Sequence, residues 1–326
     1  MKAWLCDDPS GVDALRLVDL PTPEPAPGQV RVRVHAASLN FPDLLTVQGK
    51  YQIRPALPFV PGSEYSGTVE AVGAGVTEFG VGDPVISLGV TGGFATHAVA
   101  DANHLIRVSA AMDLDDAAAF VFTYGTSWHA LHDRAALRRG ETVLVLGAAG
   151  GVGSAAVQIA VAAGARVIAA ASSAEKCDFC RRLGAHATIE LGREDLRAAL
   201  KAHTDGRGPD IVYDPVGGDW AELAFRSIAW RGRYLVVGFA GGAIPALPFN
   251  LPLLKGASIV GVFWGDFVRR EAAAFRQDLQ HLFDGHATGA LRPAIDQRFA
   301  LADLPQAYGR MASRRVQGKL LVCPQR

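Results

Sequence analysis

A strand, a glycine-rich loop and a helix in the middle of the chain constrain its fold most strongly. TVLVL (142–146) is a continuous apolar run, which is typical of a strand buried on both faces. GAAGGVG (147–153) follows it and matches a dinucleotide fingerprint best in the register Ala148-x-Gly150-x-x-Gly153. An alanine-rich helix is predicted from Ser154. Because small residues let a pyrophosphate approach free N–H groups at a helix start, the segment predicts a dinucleotide site; a plain tight turn is the alternative.

The alternation of strands and helices continues after this segment. Further apolar strands are predicted at 166–171, 188–191, 210–213 and 234–237, and helices at 194–203 and 220–229. Strands that alternate with helices in this way predict a doubly wound parallel sheet.

The N-terminal third has a different pattern. Short strands are predicted at 28–38, 67–72, 83–88 and 94–99, between Gly and Pro turns and without a long amphipathic helix. The tail adds helices at 271–283 and 302–313 and a strand at 319–322. It is too small for a domain of its own, so it is expected to pack on the N-terminal part. The 326 residues therefore predict two domains.

Composition excludes several classes of function. Lys+Arg and Asp+Glu both number 32, so no broad attraction to nucleic acid or to anionic membranes is expected. Four scattered cysteines are no disulfide framework, and no targeting segment is visible, which predicts a cytoplasmic protein. Glycines and prolines interrupt both long uncharged stretches, 142–165 and 234–254, so neither is expected to span a membrane.

The end of the second strand bears on the choice of nucleotide. An NAD site would show an acidic residue there, whereas this chain has Ala171, Ser172 and Ser173, with Lys176 close behind. Ser172 and Glu175 are expected to form a capping box, which would turn Glu175 back onto the helix start. Ser172, Ser173 and Lys176 could then donate hydrogen bonds to a 2′-phosphate, so NADPH is the predicted cofactor. A solvated helix residue is the alternative for Lys176.

Several motifs in one order resemble the medium-chain dehydrogenase/reductase superfamily, in its zinc-free quinone oxidoreductase branch, which is like zeta-crystallin. The resemblance covers essentially the whole chain and rests on Asn40-Phe-Pro-Asp43, PGSEYSGTV (61–69), VGAGV (72–76), the loop 147–153, DPVGG (214–218), GFA (238–240) and Gly318-Lys319. It implies an α/β fold in which a GroES-like β-barrel catalytic domain, residues 1–120 and 265–326, contains an inserted Rossmann domain, residues 121–264.

The resemblance also implies a set of site residues. It implies catalytic roles for Asn40, Asp43, Tyr51 and Thr126. It implies cofactor contacts from Ala149, Gly150, Gly151, Val152, Ser172, Ser173, Lys176, Gly238, Phe239, Ala240, Phe263, Trp264 and Lys319. A homodimer joined at a sheet edge near Ser258–Phe263 is implied as well.

Two positions of the chain, Asn40 and Ser63, indicate that it does not bind a catalytic zinc ion. Zinc-dependent alcohol dehydrogenases of the superfamily have a cysteine where this chain has Asn40 and a histidine where it has Ser63, and neither replacement binds Zn²⁺ well. Cys177-x-x-Cys180 has metal-like spacing but no second pair, and it is interpreted as ordinary helix sequence. Without a Lewis acid, quinones and activated enones are the favoured hydride acceptors, because they give stabilised products.

Three functions stay open. The first is an NADPH-dependent quinone or enone reductase acting on a small molecule. The second is an enoyl-thioester reductase, which the segment from Asn40 to Tyr51 also resembles and in which Tyr51 would act as the acid. The third is a nucleotide-binding protein without turnover, like the lens crystallins. Two departures from the family bear on the site: Leu191 stands where relatives often have tyrosine, and Trp128-His129 replaces a Tyr-Tyr pair.

Overall fold

A computed structural model of the chain describes residues 1–325 and divides it into two compact units. Unit 1 comprises Met1–Phe122 and Pro293–Arg326, and unit 2 comprises Thr123–Arg292. The return to unit 1 therefore comes at 292/293 rather than at the predicted 264/265. The reason is local packing: the Gln158 side chain donates to the Arg292 carbonyl and accepts from its N–H, which holds the segment before Pro293 in unit 2.

The elements fall in chain order as follows. The strands are β1 (Lys2–Leu5), β2 (Arg16–Asp19), β3 (Gln29–Leu39), β4 (Glu64–Val72), β5 (Pro84–Leu88), β6 (His97–Asp101), β7 (Leu105–Arg107), β8 (Thr142–Leu146), β9 (Arg166–Ala171), β10 (Ala187–Glu190), β11 (Ile211–Asp214), β12 (Arg233–Val236), β13 (Ser258–Gly261), β14 (Ile295–Ala300) and β15 (Lys319–Cys323). The helices are α1 (Phe41–Val47), α2 (Leu114–Trp128), α3 (Gly151–Ala162), α4 (Ala174–Arg182), α5 (Leu196–His203), α6 (Asp219–Ser227), α7 (Asn250–Lys255), α8 (Trp264–Arg270), α9 (Ala272–Ala287) and α10 (Leu304–Ala312).

Unit 1 is built on a seven-stranded sheet in the order β14-β15-β3-β4-β5-β7, with β6 also paired to β3. The long strand β3 organises it because Val30, Val32 and Val34 alternate with charged residues and are fully buried. Register shifts between β3 and β4 bend the sheet. The tail joins through β15, whose Leu320 lies opposite Leu39 of β3. This sheet-rich unit is the GroES-like part of the predicted fold.

Unit 2 contains a six-stranded parallel sheet in the order β10-β9-β8-β11-β12-β13. All five residues of β8 are buried, as a strand covered on both faces requires. The strand order runs outward from β8 in both directions, which is the doubly wound arrangement predicted from the sequence. Among the described residues, none of the helices combines the length and apolar character that crossing a membrane needs.

Two helix starts differ from the prediction. Helix α3 begins at Gly151 with Gly150 as its N-cap, three residues before the predicted Ser154. Helix α4 begins at Ala174, and its cap is Ser173, whose Oγ accepts from the Lys176 N–H at 3.3 Å. The expected Ser172–Glu175 capping box is therefore wrong, because with Ser173 as the cap the third helical residue is Lys176 and not Glu175.

Candidate functional site

The candidate nucleotide residues of unit 2 all follow the carboxyl ends of its parallel strands. The glycine loop 147–153 follows β8, Ser172 and Ser173 follow β9, the turn 215–218 follows β11, and residues 238–240 come soon after β12. Parallel strands end at one edge of a sheet, and the crevice at the point where the strand order reverses is where such sheets bind ligands. The structure thus brings the predicted cofactor residues of unit 2 to one edge of the sheet.

The glycine loop is shaped by a close approach of backbone to backbone. A Cβ on Gly153 would lie 2.3 Å from the Gly147 carbonyl oxygen, so no larger residue fits there. Gly147 itself has a φ of +58°, which favours glycine. The first N–H groups of α3 consequently open next to a loop without bulky side chains. That arrangement can receive a pyrophosphate.

The end of β9 has hydrogen-bond donors and no acidic residue. The Ser173 hydroxyl is engaged in the helix cap, whereas Ser172 precedes the cap and is exposed. Lys176 is half-buried in the first turn of α4. Leu191 lies against the same strand end, because its N–H donates to the Ala171 carbonyl at 2.7 Å.

A buried pair of side chains that sequence reasoning missed shapes the edge between β11 and β12. Asp214 accepts from the Val216 and Gly217 N–H groups at 2.7 and 2.9 Å, and the Tyr234 hydroxyl donates to its other oxygen. Burial and the neighbouring Asp214 charge raise the pKa of Tyr234 well above its usual value, so it remains a donor. The turn at 238–240 stacks on this one, since the Ala240 N–H donates to the Pro215 carbonyl. The one sequence signal for this hydrogen bond is the position of Tyr234 inside an apolar strand, where a buried hydroxyl needs a partner.

Helix α2 carries Thr126 and is tied to the glycine loop through the next residue. Ser127 donates to the Val152 carbonyl at 2.9 Å and also meets the Tyr213 hydroxyl. The Trp264 ring packs on Gly125, where an added Cβ would come within 2.6 Å of it. Thr126 and Trp264 are both buried, while Phe263 is 51% exposed. The exposed ring of Phe263 could therefore contact a cofactor, whereas the ring of Trp264 is buried against Gly125.

A network of buried polar groups brings the predicted catalytic residues of unit 1 together. Asn40 ends β3 and precedes α1, and Asp43 lies in the first turn of that helix. Asp43 accepts from the Asn40 N–H at 2.7 Å and from the Ser63 N–H at 2.9 Å. Burial raises the pKa of Asp43 to about 6, although these bonds and the positive charge of Lys319 act against that shift.

Glu64 and Lys319 complete this network, and the sequence had indicated a different role for the lysine. Glu64 is fully buried and accepts from the Phe122 N–H at 2.7 Å and the Ser38 hydroxyl at 2.5 Å. Lys319 is 4% exposed, and its Nζ lies 2.5 Å from Asn40 Oδ1 and 3.6 Å from Glu64 Oε2. The predicted cofactor ligand Lys319 is therefore enclosed by side chains of its own unit.

Tyr51 lies on the loop that follows α1 and is half-buried. Burial raises its pKa, and the negative charge of Asp43 raises it further. The phenol thus keeps its proton at neutral pH, which is the form a general acid needs.

Cys177 and Cys180 lie within α4, as interpreted from the sequence, and both are buried free thiols. Burial raises the pKa of Cys180 to about 12. Among residues 1–325, no group of three or more His, Cys, Asp or Glu side chains is arranged to hold a metal ion.

Comparisons with known proteins match both units. The family model described as alcohol dehydrogenase GroES-like domain matches residues 26–110, and the one described as zinc-binding dehydrogenase matches residues 151–283. Quinone oxidoreductase-like protein 2 of Bos taurus is 39% identical over 303 residues, which covers 92% of this chain and 87% of that protein. A quinone oxidoreductase of Pseudomonas aeruginosa is 36% identical, covering 96% and 97% of the two chains. The crystal structure of Thermus thermophilus quinone oxidoreductase, also solved in complex with NADPH, superimposes with a TM-score of 0.85 at 34% identity, covering 99% and 100%.

Proposed function

Since this chain belongs to the quinone oxidoreductase family of the medium-chain dehydrogenase/reductase superfamily, we propose that it is an NADPH-dependent reductase that transfers hydride to a quinone or an activated enone without zinc. One observation carries the cofactor assignment: the end of β9 offers Ser172 and Lys176 where an NAD site would place a carboxylate.

Different residues of unit 2 would bind different parts of the cofactor. Backbone N–H groups of Gly151 and its neighbours at the start of α3 would receive the pyrophosphate, and Ser172 and Lys176 the 2′-phosphate. The turns at 215–218 and 238–240, fixed by Asp214 and Tyr234, would hold the nicotinamide end. NADPH, when bound, supplies the hydride. The protein would orient the acceptor and exclude competing reactions.

The residues present do not fit the zinc ion that the name of the matching family model implies. The amide of Asn40 and the hydroxyl of Ser63 replace the thiolate and imidazole that Zn²⁺ prefers. The Lys319 ammonium occupies the Asn40 oxygen, which is the one atom of that side chain able to coordinate a cation. The reaction is therefore derived without a Lewis acid, and the acceptor must stabilise its own negative charge after hydride addition.

A panel of acceptors tests this function. NADPH oxidation is measured against quinones, enones and enoyl-CoA thioesters, with NADH in parallel and zinc per chain determined by elemental analysis. We expect turnover of quinones or enones, preference for NADPH, and activity that survives a chelator. About one zinc per chain together with activity lost to the chelator would contradict the proposal.

A second candidate is an enoyl-thioester reductase. The half-buried phenol of Tyr51, whose pKa is raised by burial, favours it, because that reaction needs a protonated donor after hydride addition. Strong turnover of enoyl-CoA with negligible quinone activity would select it. NADPH binding without turnover of any acceptor would select instead the third possibility, a nucleotide-binding protein with no reaction.

We also propose that the protein is a homodimer joined through β13. That strand is one of the two outer strands of the six-stranded sheet, and Ile259 on it is 43% exposed. An edge that lacks a strand partner and exposes an apolar side chain is a template for pairing with a second copy.

A further inference from the structure

The most unusual feature of unit 1 is a lysine ammonium buried at the start of a strand. Lys319 begins β15, and the next residue, Leu320, pairs with Leu39 of β3. This register places Lys319 beside Asn40, which follows β3 directly. The ammonium donates to Asn40 Oδ1 at 2.5 Å and lies 3.6 Å from Glu64 Oε2.

The charges around this ammonium compensate one another. A buried lysine is unfavourable in its charged form, and burial accordingly lowers the pKa of Lys319, while Glu64 and then Asp43 act in the opposite direction. Glu64 is fully buried as well and so needs a cation close by. Removing one partner of the Lys319–Glu64 pair leaves the charge of the other uncompensated. Removing both ends that imbalance and leaves the Asp43 carboxyl with its hydrogen bonds from Asn40 and Ser63.

Both the oxygen and the nitrogen of the Asn40 side chain make hydrogen bonds inside this network. Its oxygen accepts from Lys319, and its Nδ2 lies 3.2 Å from Ser38 Oγ and 3.4 Å from Glu64 Oε2. The side chain is 4% exposed. Asn40 therefore has neither an oxygen for a metal nor a free amide donor for a substrate, and its remaining role is to hold the start of α1.

Through α1 the network reaches the loop that carries Tyr51. The Asn40 N–H is bound by Asp43, and the Lys50 N–H donates to the Leu45 carbonyl where the helix ends. A shift of Asn40 would move the first turn of α1 and with it this loop.

We propose that Lys319 is a positioning residue whose buried ammonium serves as the fixed cation of unit 1, holding Asn40 and Glu64 in place and excluding a metal ion, rather than contacting the nucleotide. The proposal rests on the proposed reductase function for its catalytic consequence. It changes the role that the sequence resemblance implied for Lys319.

Four variants test it: Lys319→Met, Glu64→Gln, the double variant, and Lys2→Met as a matched control on an exposed lysine of unit 1. The NADPH Kd is measured by fluorescence, kcat and KM with the best acceptor, and the free energy of unfolding with urea. For Lys319→Met we expect kcat to fall at least tenfold while the NADPH Kd stays within twofold. In the double variant, part of the lost kcat should return. Its change in the unfolding equilibrium should differ from the sum of the two single changes by at least tenfold, which is about 1.4 kcal/mol.

Each contrary result has a distinct meaning. An NADPH Kd raised tenfold or more in Lys319→Met would show that the lysine contacts the nucleotide and would overturn the proposal. A folded Lys319→Met with unchanged kcat, or additive unfolding energies, would overturn it as well. If Lys319→Met does not fold but the double variant does, the result supports charge compensation. If the wild type turns over no acceptor, the reductase function fails, and the unfolding cycle and the NADPH Kd still decide the role of Lys319.

Discussion

At the scale of single residues, we predict that Lys176 decides the choice between the two nicotinamide cofactors. It lies in the first turn of α4, behind the exposed Ser172. A charge-assisted hydrogen bond contributes about 1.5–3 kcal/mol. We therefore expect Lys176→Ala to raise the KM for NADPH roughly ten- to hundredfold, at ~1.4 kcal/mol per decade, and to leave NADH kinetics nearly unchanged.

The matched control for Lys176→Ala is Lys201→Ala, an exposed lysine on α5 of the same unit, which should change neither KM. Steady-state kinetics with both cofactors on all three proteins give the answer. An equal loss with NADPH and NADH would show that Lys176 does not recognise the 2′-phosphate.

Tyr51 separates the two candidate reactions. Reduction of an enoyl thioester leaves an enolate that needs a proton, and a general acid contributes typically 10²–10⁴-fold. The oxyanion left by quinone reduction can take its proton from water. We expect Tyr51→Phe to lose less than tenfold in kcat with the best quinone and more than a hundredfold, following that range, with any active enoyl-CoA.

Both kcat values are measured on wild type and variant. The buried Tyr65→Phe is unsuitable as a control, whereas Tyr51→Phe itself keeps the aromatic ring and removes only the hydroxyl, so the loss reports on the proton donor. A hundredfold loss with quinones would mean that the acid chemistry is misassigned.

At the scale of secondary structure elements, the sequence predicted those whose pattern is local. Strands β8 and β9 have the predicted bounds, because a continuous apolar run between polar ends leaves no choice of limits. Helix α2 was not predicted, since LDDAAAFVFTYGTSW is apolar on nearly all sides and has no clear period. The π-helical turn His129–Arg134 that continues it has no sequence signature at all.

The site followed the same division. The glycine loop and the residues after β9 could be proposed from the sequence as cofactor residues, since their chemistry is contained in a few neighbouring positions. The Lys319–Asn40 bond joins residues 279 positions apart, and the Tyr234–Asp214 bond depends on which strands pair. Only the strand register of the folded sheet brings such groups together, so the contacts of Lys319 could not be predicted from its motif.

Helix α9 carries a carboxyl that makes stability depend on pH. Burial raises the pKa of Asp278 from 3.8 to about 6, and the charge of Asp133 adds to this. Between these two values the folded protein binds the proton and the unfolded chain does not. The contribution of this proton is therefore fully present below about pH 4 and is lost as the pH rises through 6.

We expect Asp278→Asn to remove the loss of stability that the wild type shows as the pH rises, because the amide does not titrate. Relative to wild type, its free energy of unfolding should rise by roughly 1–3 kcal/mol between pH 4 and pH 8, from about 1.4 kcal/mol for each pKa unit. Urea unfolding at both pH values measures it, with the exposed Asp284→Asn on the same helix as the control. A difference between variant and wild type that does not change with pH would contradict the assignment.

At the scale of the whole molecule, we expect the β13 edge of the six-stranded sheet to be covered by a second copy of the chain. Strand β13 has one strand neighbour among residues 1–325, β12. On its other side the Gly261 carbonyl accepts from Arg134 Nε at 3.1 Å, and the rest of that side has no strand partner in the described chain. Ile259 on the strand is 43% exposed, and Phe263 just beyond it is 51% exposed. A two-fold axis beside β13 would pair these groups with their own copies and continue the sheet.

The mass in solution tests this arrangement. We expect light scattering after gel filtration to give twice the chain mass of 34.4 kDa for the wild type. Ile259→Lys should shift it toward 34.4 kDa, because it places like charges opposite each other across the axis. Val81→Lys, at an apolar side chain that is 71% exposed in unit 1, should leave the dimer intact. If the wild type elutes as a monomer at micromolar concentration, or if Ile259→Lys remains a dimer, β13 is not the contact.

The same variant also tests whether NADPH binding needs the dimer. The glycine loop follows β8, which lies in the interior of the sheet, and not the outer strand β13. We therefore expect a monomeric Ile259→Lys to retain NADPH binding.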